Sequence, residues 1–246
     1  EGLFVGPYLP LVRQYSQAKI VYRAHNIEYQ IWEHQVFSER SPLRRLYLSY
    51  KSGKLRQFEY ENMNNFDAVI TLNEADMREL KYQGCHVRMA NFSVMLDPDD
   101  YKPQPALAEG LSIFHLGALD WMPNREGLEW FIDHVWNDLE KLNVGLTFHI
   151  AGKNIPPEIE ELADNVIRIY PDVEDAKEFM NSKSIMVVPL KSGSGMRVKI
   201  IEGMAMKKCI ISTSLGAEGI RYEHGKNILI ADTADDFYRY ILQCTT

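Results

Sequence analysis

The chain has 246 residues, 46% of them hydrophobic and 25% charged, with a formal net charge of −7. That length suits two domains, each with a core of its own, and the acidic balance argues against a nucleic-acid partner, whose phosphates call for a basic face. No apolar run reaches the roughly 20 residues of a bilayer span and no signal peptide is visible, so a cytoplasmic location is expected.

Cys85, Cys209 and Cys244 stand far apart in the sequence with no Cys-x-x-Cys spacing. They read as reduced thiols, not as a disulfide frame or a zinc site. The chain opens on a glutamate instead of a methionine, and a trimmed N-terminus is expected from that.

In chain order, short β-branched runs predict strands at residues 19–22, 68–72, 87–90, 112–116, 146–151, 166–169, 185–190, 210–213 and 228–231. Helical patterns fall between them at 74–82, 124–142, 157–163, 174–181, 196–206 and 234–242. Strands alternating with helices predict βαβ units and parallel sheets, and continuously apolar strands predict sheets covered on both faces.

One interval breaks the rhythm. Asp97-Pro-Asp-Asp-Tyr-Lys-Pro-Gln-Pro-Ala carries three prolines and no periodicity, the composition of a linker. The expected organisation is therefore a partial Rossmann-like domain at 1–96, a linker at 97–110 and a second Rossmann-like domain at 111–246. Three strands before the linker are few for a complete doubly wound domain, so the first is expected to lack its beginning.

The most informative stretch follows the run Ser-Ile-Met-Val-Val-Pro-Leu, which breaks into Lys-Ser-Gly-Ser-Gly and then an amphipathic helix. Gly193 and Gly195 let the backbone approach a ligand, and the opening amides of the next helix favour an anion. Arg197 and Lys199 add two cations, and Glu202 sets a carboxylate about one turn into the helix, where a diol could be held. Phosphates at the helix mouth and a diol beyond describe a nucleotide. The competing reading makes Lys199 and Glu202, three apart, a surface pair contributing about 0.2–0.5 kcal/mol. The segment also lacks the ending of a P-loop and the spacing of a dinucleotide fingerprint.

Several motifs then occur together. They are Leu-Gly-Ala-Leu-Asp-Trp-Met-Pro-Asn-Arg-Glu-Gly at 116–127, Phe-His-Ile-Ala-Gly at 148–152, Val-Glu-Asp at 173–175, Val-Pro-Leu at 188–190, the glycine turn and helix at 193–205, and Thr-Ser-Leu-Gly-Ala-Glu-Gly at 213–219. In this order they resemble the family 4 glycosyltransferases, retaining enzymes of the GT-B fold. Arg-Ala-His-Asn-Ile-Glu at 23–28 and Val-Ile-Thr-Leu-Asn-Glu at 69–74 resemble the latter half of that family's acceptor-side domain.

The resemblance implies a nucleotide-diphosphate sugar held by the second domain as substrate, with no cofactor, no metal and the base unknown. It implies transfer to a polysaccharide, lipid-linked or other glycan acceptor. Carried over by position, Arg197 and Lys199 neutralise the diphosphate with the amides of Gly193 to Gly195, and Glu202 binds the ribose. Ser194 stands where the first glutamate of the family's pair belongs. Ala118 stands after Gly117 where many relatives have a basic residue, so Asn124 and Arg125 are expected to reach the donor, and Val173 belongs to the same donor set. His25, by pattern a strand-end structural residue, is placed by the resemblance near the transferred sugar.

Two weaker signals complete the reading. Asp97-Pro-Asp99 spells a metal-binding Asp-x-Asp, but a proline-rich linker is a poor mount for a hard cation. Residues 40–58 interleave Arg40, Arg44, Arg45, Lys51, Lys54 and Arg56 with Leu43, Leu46, Tyr47, Leu48, Tyr50 and Leu55. A solvated helix packing its apolar stripe on its own domain is the preferred reading, and peripheral contact with the inner face of an anionic membrane is the alternative. The rival functions are a non-catalytic nucleotide-sugar-binding module and a nucleotide-sugar epimerase. A receiver-like signalling domain is set aside, because its acidic cluster is missing.

Overall fold

The computed structural model describes residues 2–39, 41–104, 110–193 and 195–245. Arg40, Ser194 and residues 105–109 of the expected linker therefore lie outside the described residues. Two compact units form. The first takes residues up to Met95 together with Ser192–Met196 and Glu218–Ile220, and the second takes Leu96–Lys191, Arg197–Ala217 and the chain from Arg221 on.

In the first unit a tight helical stretch, Leu3–Tyr8, leads into α1 (Leu9–Tyr15), followed by β1 (Val21–Ala24), α2 (Glu28–Ser38), α3 (Pro42–Met63), β2 (Ala68–Thr71), α4 (Glu74–Tyr82) and β3 (Arg88–Asn91). The strands form a parallel sheet in the order β1-β2-β3. β1 begins two residues later than the apolar run predicts, because the Asp67 carboxylate takes the Ile20 amide at 2.8 Å and the ladder opens only at Val21. Leu3, Leu9, Ile27, Met63, Phe66, Val69 and Leu80 form its core.

The helices α1 and α2 were not expected from periodicity. The second half of α3 buries Ser52, Glu59, Asn62 and Met63, while its first half leaves Leu43, Leu46, Tyr47 and Tyr50 exposed. The preferred stripe reading thus holds only for the half that packs Leu55 and Phe58 on the core.

The second unit runs β4 (Ser112–Leu116), α5 (Met122–Phe131), a π-helical turn at Ile132–Trp136, α6 (Asn137–Lys141), β5 (Thr147–Gly152), α7 (Pro157–Glu160), β6 (Ile167–Pro171), α8 (Ala176–Asn181), β7 (Ile185–Val188), α9 (Val198–Ala205), β8 (Cys209–Ser212), β9 (Leu229–Ile230) and α10 (Ala234–Thr245). All neighbours are parallel, in the order β6-β5-β4-β7-β8-β9. The chain builds outward from β4 through β5 and β6, then crosses to β7 and builds the other way. Ligands of such sheets lie outside the carboxyl ends of the strands at this switch point, here β4 and β7.

The strands themselves are buried, as their apolar composition predicts. Ile113, Phe114, Phe148, Ile150, Met186 and Val187 are fully enclosed. Phe131 packs on Phe148 at 5.3 Å and on Phe237 of α10 at 5.6 Å between ring centres. α10 also carries Cys244 to within 3.0 Å of Cys209, sulfur to sulfur, so two thiols distant in sequence are neighbours in space, both free. Among the described residues no helix is long and apolar enough to cross a membrane.

Candidate donor site

At the switch point of the second unit, β4 ends and the chain turns through Gly117. A Cβ there would stand 2.6 Å from Asn124 Nδ2 and 3.1 Å from Lys199 Nζ, so a side chain would push on the two groups that close this turn. Asn124, buried in the first turn of α5, donates from Nδ2 to Ala118 O at 2.9 Å and accepts from Lys199 Nζ at 3.2 Å. Lys199 Nζ also donates to Leu116 O at 2.7 Å. The lysine thus ties the first turn of α9 to the end of β4.

This geometry overturns the surface-pair reading. Lys199, partly exposed as a residue, turns its ammonium inward, away from any pairing with Glu202. Burial, then the neighbouring Arg197 cation, lowers its pKa to about 7. Beneath it His115, wholly buried, donates from Nδ1 to Val187 O at 3.3 Å and is held neutral, well below the ordinary histidine value, by burial and by Lys199.

Arg197 is only 6% exposed. It stands at the N-cap of α9, which starts at Val198, two residues later than the pattern predicts. Its guanidinium lies 5.0 Å from the centre of the Trp121 ring, a cation–π arrangement. A buried arginine and a buried ammonium within one helical turn are mutually repulsive, and an anion between them relieves that repulsion. Glu202, one turn further on, accepts a hydrogen bond from the Tyr101 hydroxyl at 2.9 Å.

Of the two other expected donor residues, Arg125 is engaged elsewhere. The Arg125 guanidinium reaches Glu129 at 2.8 Å and Glu158 at 2.6 Å, not toward Gly117. Val173 lies in the turn after β6, ahead of Asp175, whose carboxylate caps α8 by accepting from the Lys177 amide at 2.8 Å and the Glu178 amide at 3.1 Å. In the Asp-x-Asp segment, Asp97 accepts from its own turn at the Asp99 amide and Asp99 pairs with Lys102 at 2.9 Å, so both carboxylates serve local structure.

The glycine turn belongs to the first unit. Gly195 has φ +86°, and a Cβ there would strike Asn26 Oδ1 and lie 2.8 Å from His25 O. Only glycine fits that backbone and that space. Gly193, at φ +107°, presents its carbonyl to His34 Nδ1, which donates at 2.8 Å. Ser194 lies outside the described residues. His25 follows β1 as an exposed side chain, and α2 starts just beyond it. The buried Glu59 of α3 caps that start, accepting from the Glu28 and Tyr29 amides at 3.0 Å each, and burial raises its pKa to about 7.

The structure therefore gathers Gly117, Asn124, Arg197, Lys199 and Glu202 around the switch point of the second unit, and His25, Gly193 and Gly195 in the first. Sequence reasoning missed Trp121, Tyr101, Asn26 and His34. Trp121 stood inside a quoted motif, but nothing in sequence announced its contact with Arg197; the Tyr101, Asn26 and His34 contacts link positions far apart in the chain.

Three comparisons bear on these arrangements. The family profile described as Glycosyl transferases group 1 matches residues 110–246, more than half of the chain. An uncharacterized 44.6 kDa protein in the cps region of Klebsiella pneumoniae is 23% identical over 230 residues, which cover 89% of this chain and 58% of that protein. The chain thus spans less than two thirds of that relative's length.

Among solved structures, HepE of Anabaena in complex with UDP and glucose superposes with a TM-score of 0.69 at 17% identity, over 98% of this chain and 65% of HepE. Sucrose-phosphate synthase from Thermosynechococcus elongatus gives a TM-score of 0.73 at 14% identity, over 98% of this chain and 62% of the synthase. These likenesses establish the fold, two parallel α/β units of the GT-B type.

Proposed function

Since the chain belongs to the glycosyl transferases group 1 family, we propose that it holds a nucleotide-diphosphate sugar on its second unit and serves transfer of that sugar to a glycan or lipid-linked acceptor. The observation that carries this reading is the pair of cations at the opening of α9, the buried Arg197 and the inward-turned ammonium of Lys199, followed one turn later by Glu202. The cations suit a diphosphate and the carboxylate suits a ribose diol. Uridine nucleotides are the first donors to try, because the HepE structure contains UDP.

In this reading the chemistry is displacement of a diphosphate from the anomeric carbon with retention of configuration. The acceptor oxygen bonds to that carbon on the face from which the phosphate oxygen departs, and the hydroxyl proton passes to the leaving phosphate. Positive charge grows on the sugar and negative charge on the diphosphate, so preorganised cations at the diphosphate lower the barrier. Arg197 and Lys199 supply that charge, Trp121 and Asn124 orient them, and no metal is required. The exposed His25 is assigned to the neighbourhood of the transferred sugar.

Calorimetric titration with nucleoside diphosphates and their sugars tests the reading. One nucleotide should bind equally with Mg²⁺ or with chelator, and Glu202→Ala should weaken it by about 1–3 kcal/mol. Binding that requires Mg²⁺, or that ignores Glu202→Ala, contradicts it. Turnover of the bound sugar without an acceptor would favour the epimerase reading, and binding without any turnover in a chain that includes the rest of the relatives' length would favour the binding module.

The first half of α3 belongs to the same proposal. Leu43 at 82% exposure and Leu46 at 71% stand beside Arg44 and Arg45, a composition suited to an anionic membrane surface near a lipid-linked acceptor. Cosedimentation with anionic vesicles at low salt checks this, and its absence removes the membrane from the account.

A further inference from the structure

Within the second unit, residues 97–104 are fastened by side chains of α8 and α9. The Gln104 amide donates to Asn181 Oδ1 at 3.0 Å, and Lys177 lies 3.8 Å from the Asp100 carboxylate and 4.3 Å from the centre of the Tyr101 ring. These contacts aim the Tyr101 hydroxyl at Glu202 Oε1, 2.9 Å away. The phenol thereby occupies an oxygen of the carboxylate to which the proposed function assigns the ribose. A phenol and a sugar hydroxyl make the same demand on that oxygen, one charge-assisted O–H···O bond.

We propose that Tyr101 is an internal stand-in for the ribose, a hydroxyl that holds Glu202 in the free protein and is displaced when a diol-bearing nucleotide binds. This rests on the reading of Glu202 as the ribose carboxylate. Two consequences follow. Apparent affinity is reduced by the fraction of molecules in which Tyr101 still occupies Glu202. Preference for the diol is moderated, because a diol-bearing nucleotide must displace the phenol from Glu202 whereas one lacking the diol leaves Tyr101 in place.

The test compares wild type and Tyr101→Phe, a change that keeps the ring beside Lys177 and removes only the hydroxyl. Titration uses UDP and its dideoxy analogue, which lacks the ribose diol. Tyr101→Phe should bind UDP more tightly by roughly tenfold or more, the worth of one such charge-assisted hydrogen bond, and bind the dideoxy analogue with unchanged affinity. In a Glu202→Ala background the same substitution should change nothing, since no carboxylate remains to release. The ζ-carbon NMR resonance of Tyr101 should move when UDP is added and stay still with the analogue.

Equal UDP affinity in the two proteins, or weaker binding by Tyr101→Phe, overturns the proposal while leaving the donor site standing. Failure of both proteins to bind either ligand removes the donor reading, and the proposal with it.

Discussion

Lys199 concentrates the electrostatics of the site in one side chain. Lysine ordinarily titrates near about 10.4, and here burial and the Arg197 charge bring it to about 7. The sign for folding follows from proton counts. Between those two values the unfolded chain binds more protons than the folded one, so the lysine's contribution to stability rises with pH through the window, as the cost of a buried ammonium disappears.

Binding runs the other way. A diphosphate favours the charged ammonium and lifts its pKa, so affinity is fully present below about pH 7 and declines above it, by at most about tenfold per pH unit. Calorimetry in two buffers of different ionisation enthalpy should report proton uptake on nucleotide binding at pH 8 (roughly one unit above the free value), and Lys199→Arg should abolish the uptake. A pH-independent affinity with no proton uptake would mean that Lys199 does not meet the diphosphate. Sequence marked Arg197, Lys199 and Glu202 because cations and a carboxylate after a strand and a glycine turn carry their own chemistry. It left the inward turn of Lys199 unreadable, since that depends on Leu116 and Asn124, which lie far away in the chain.

The elements of the second unit were legible and those of the first less so, for a physical reason. The strand β7 is a continuous apolar run and β4 and β5 are apolar but for Ser112, His115, Thr147 and His149, whereas in the first unit α4 alone among the helices combines an amphipathic pattern with a cap, Asn73, whose side chain accepts from the Asp76 amide at 2.8 Å. α3 hides its inward face from such reasoning because Ser52, Glu59 and Asn62 are what it buries. Glu59 is buried because α2 needs a cap that its own N-cap residue, Ile27, cannot supply. Its raised pKa makes the neutral form the better buried one, so its ionisation lowers stability as pH rises from about 4.3, the ordinary glutamate value, through about 7.

Glu59→Ala leaves the Glu28 and Tyr29 amides without their acceptor, and we expect urea unfolding to report a loss of about 1–3 kcal/mol. Unchanged stability would mean that water caps α2 as well as the carboxylate does.

At the scale of the molecule, two parallel sheets and their βαβ connections were readable from alternating strands and helices, and the motif order led to the right family. Strand order was not readable. That β4 and β7 are neighbours, and so that Gly117 and Lys199 share one crevice, emerges only when strands distant in sequence pair in space. The account as a whole claims a ligand with two ends on the second unit, a diphosphate at Arg197 and Lys199 and a ribose at Glu202.

The most direct test is to titrate wild type, Arg197→Ala and Glu202→Ala with UDP and with uridine. Arg197→Ala should weaken UDP by about 1.5–3 kcal/mol, the value of a charged hydrogen bond, and leave uridine nearly unchanged, whereas Glu202→Ala should weaken both. Equal losses of UDP and uridine on Arg197→Ala, or no loss of either on Glu202→Ala, would contradict the assignment of the two ends.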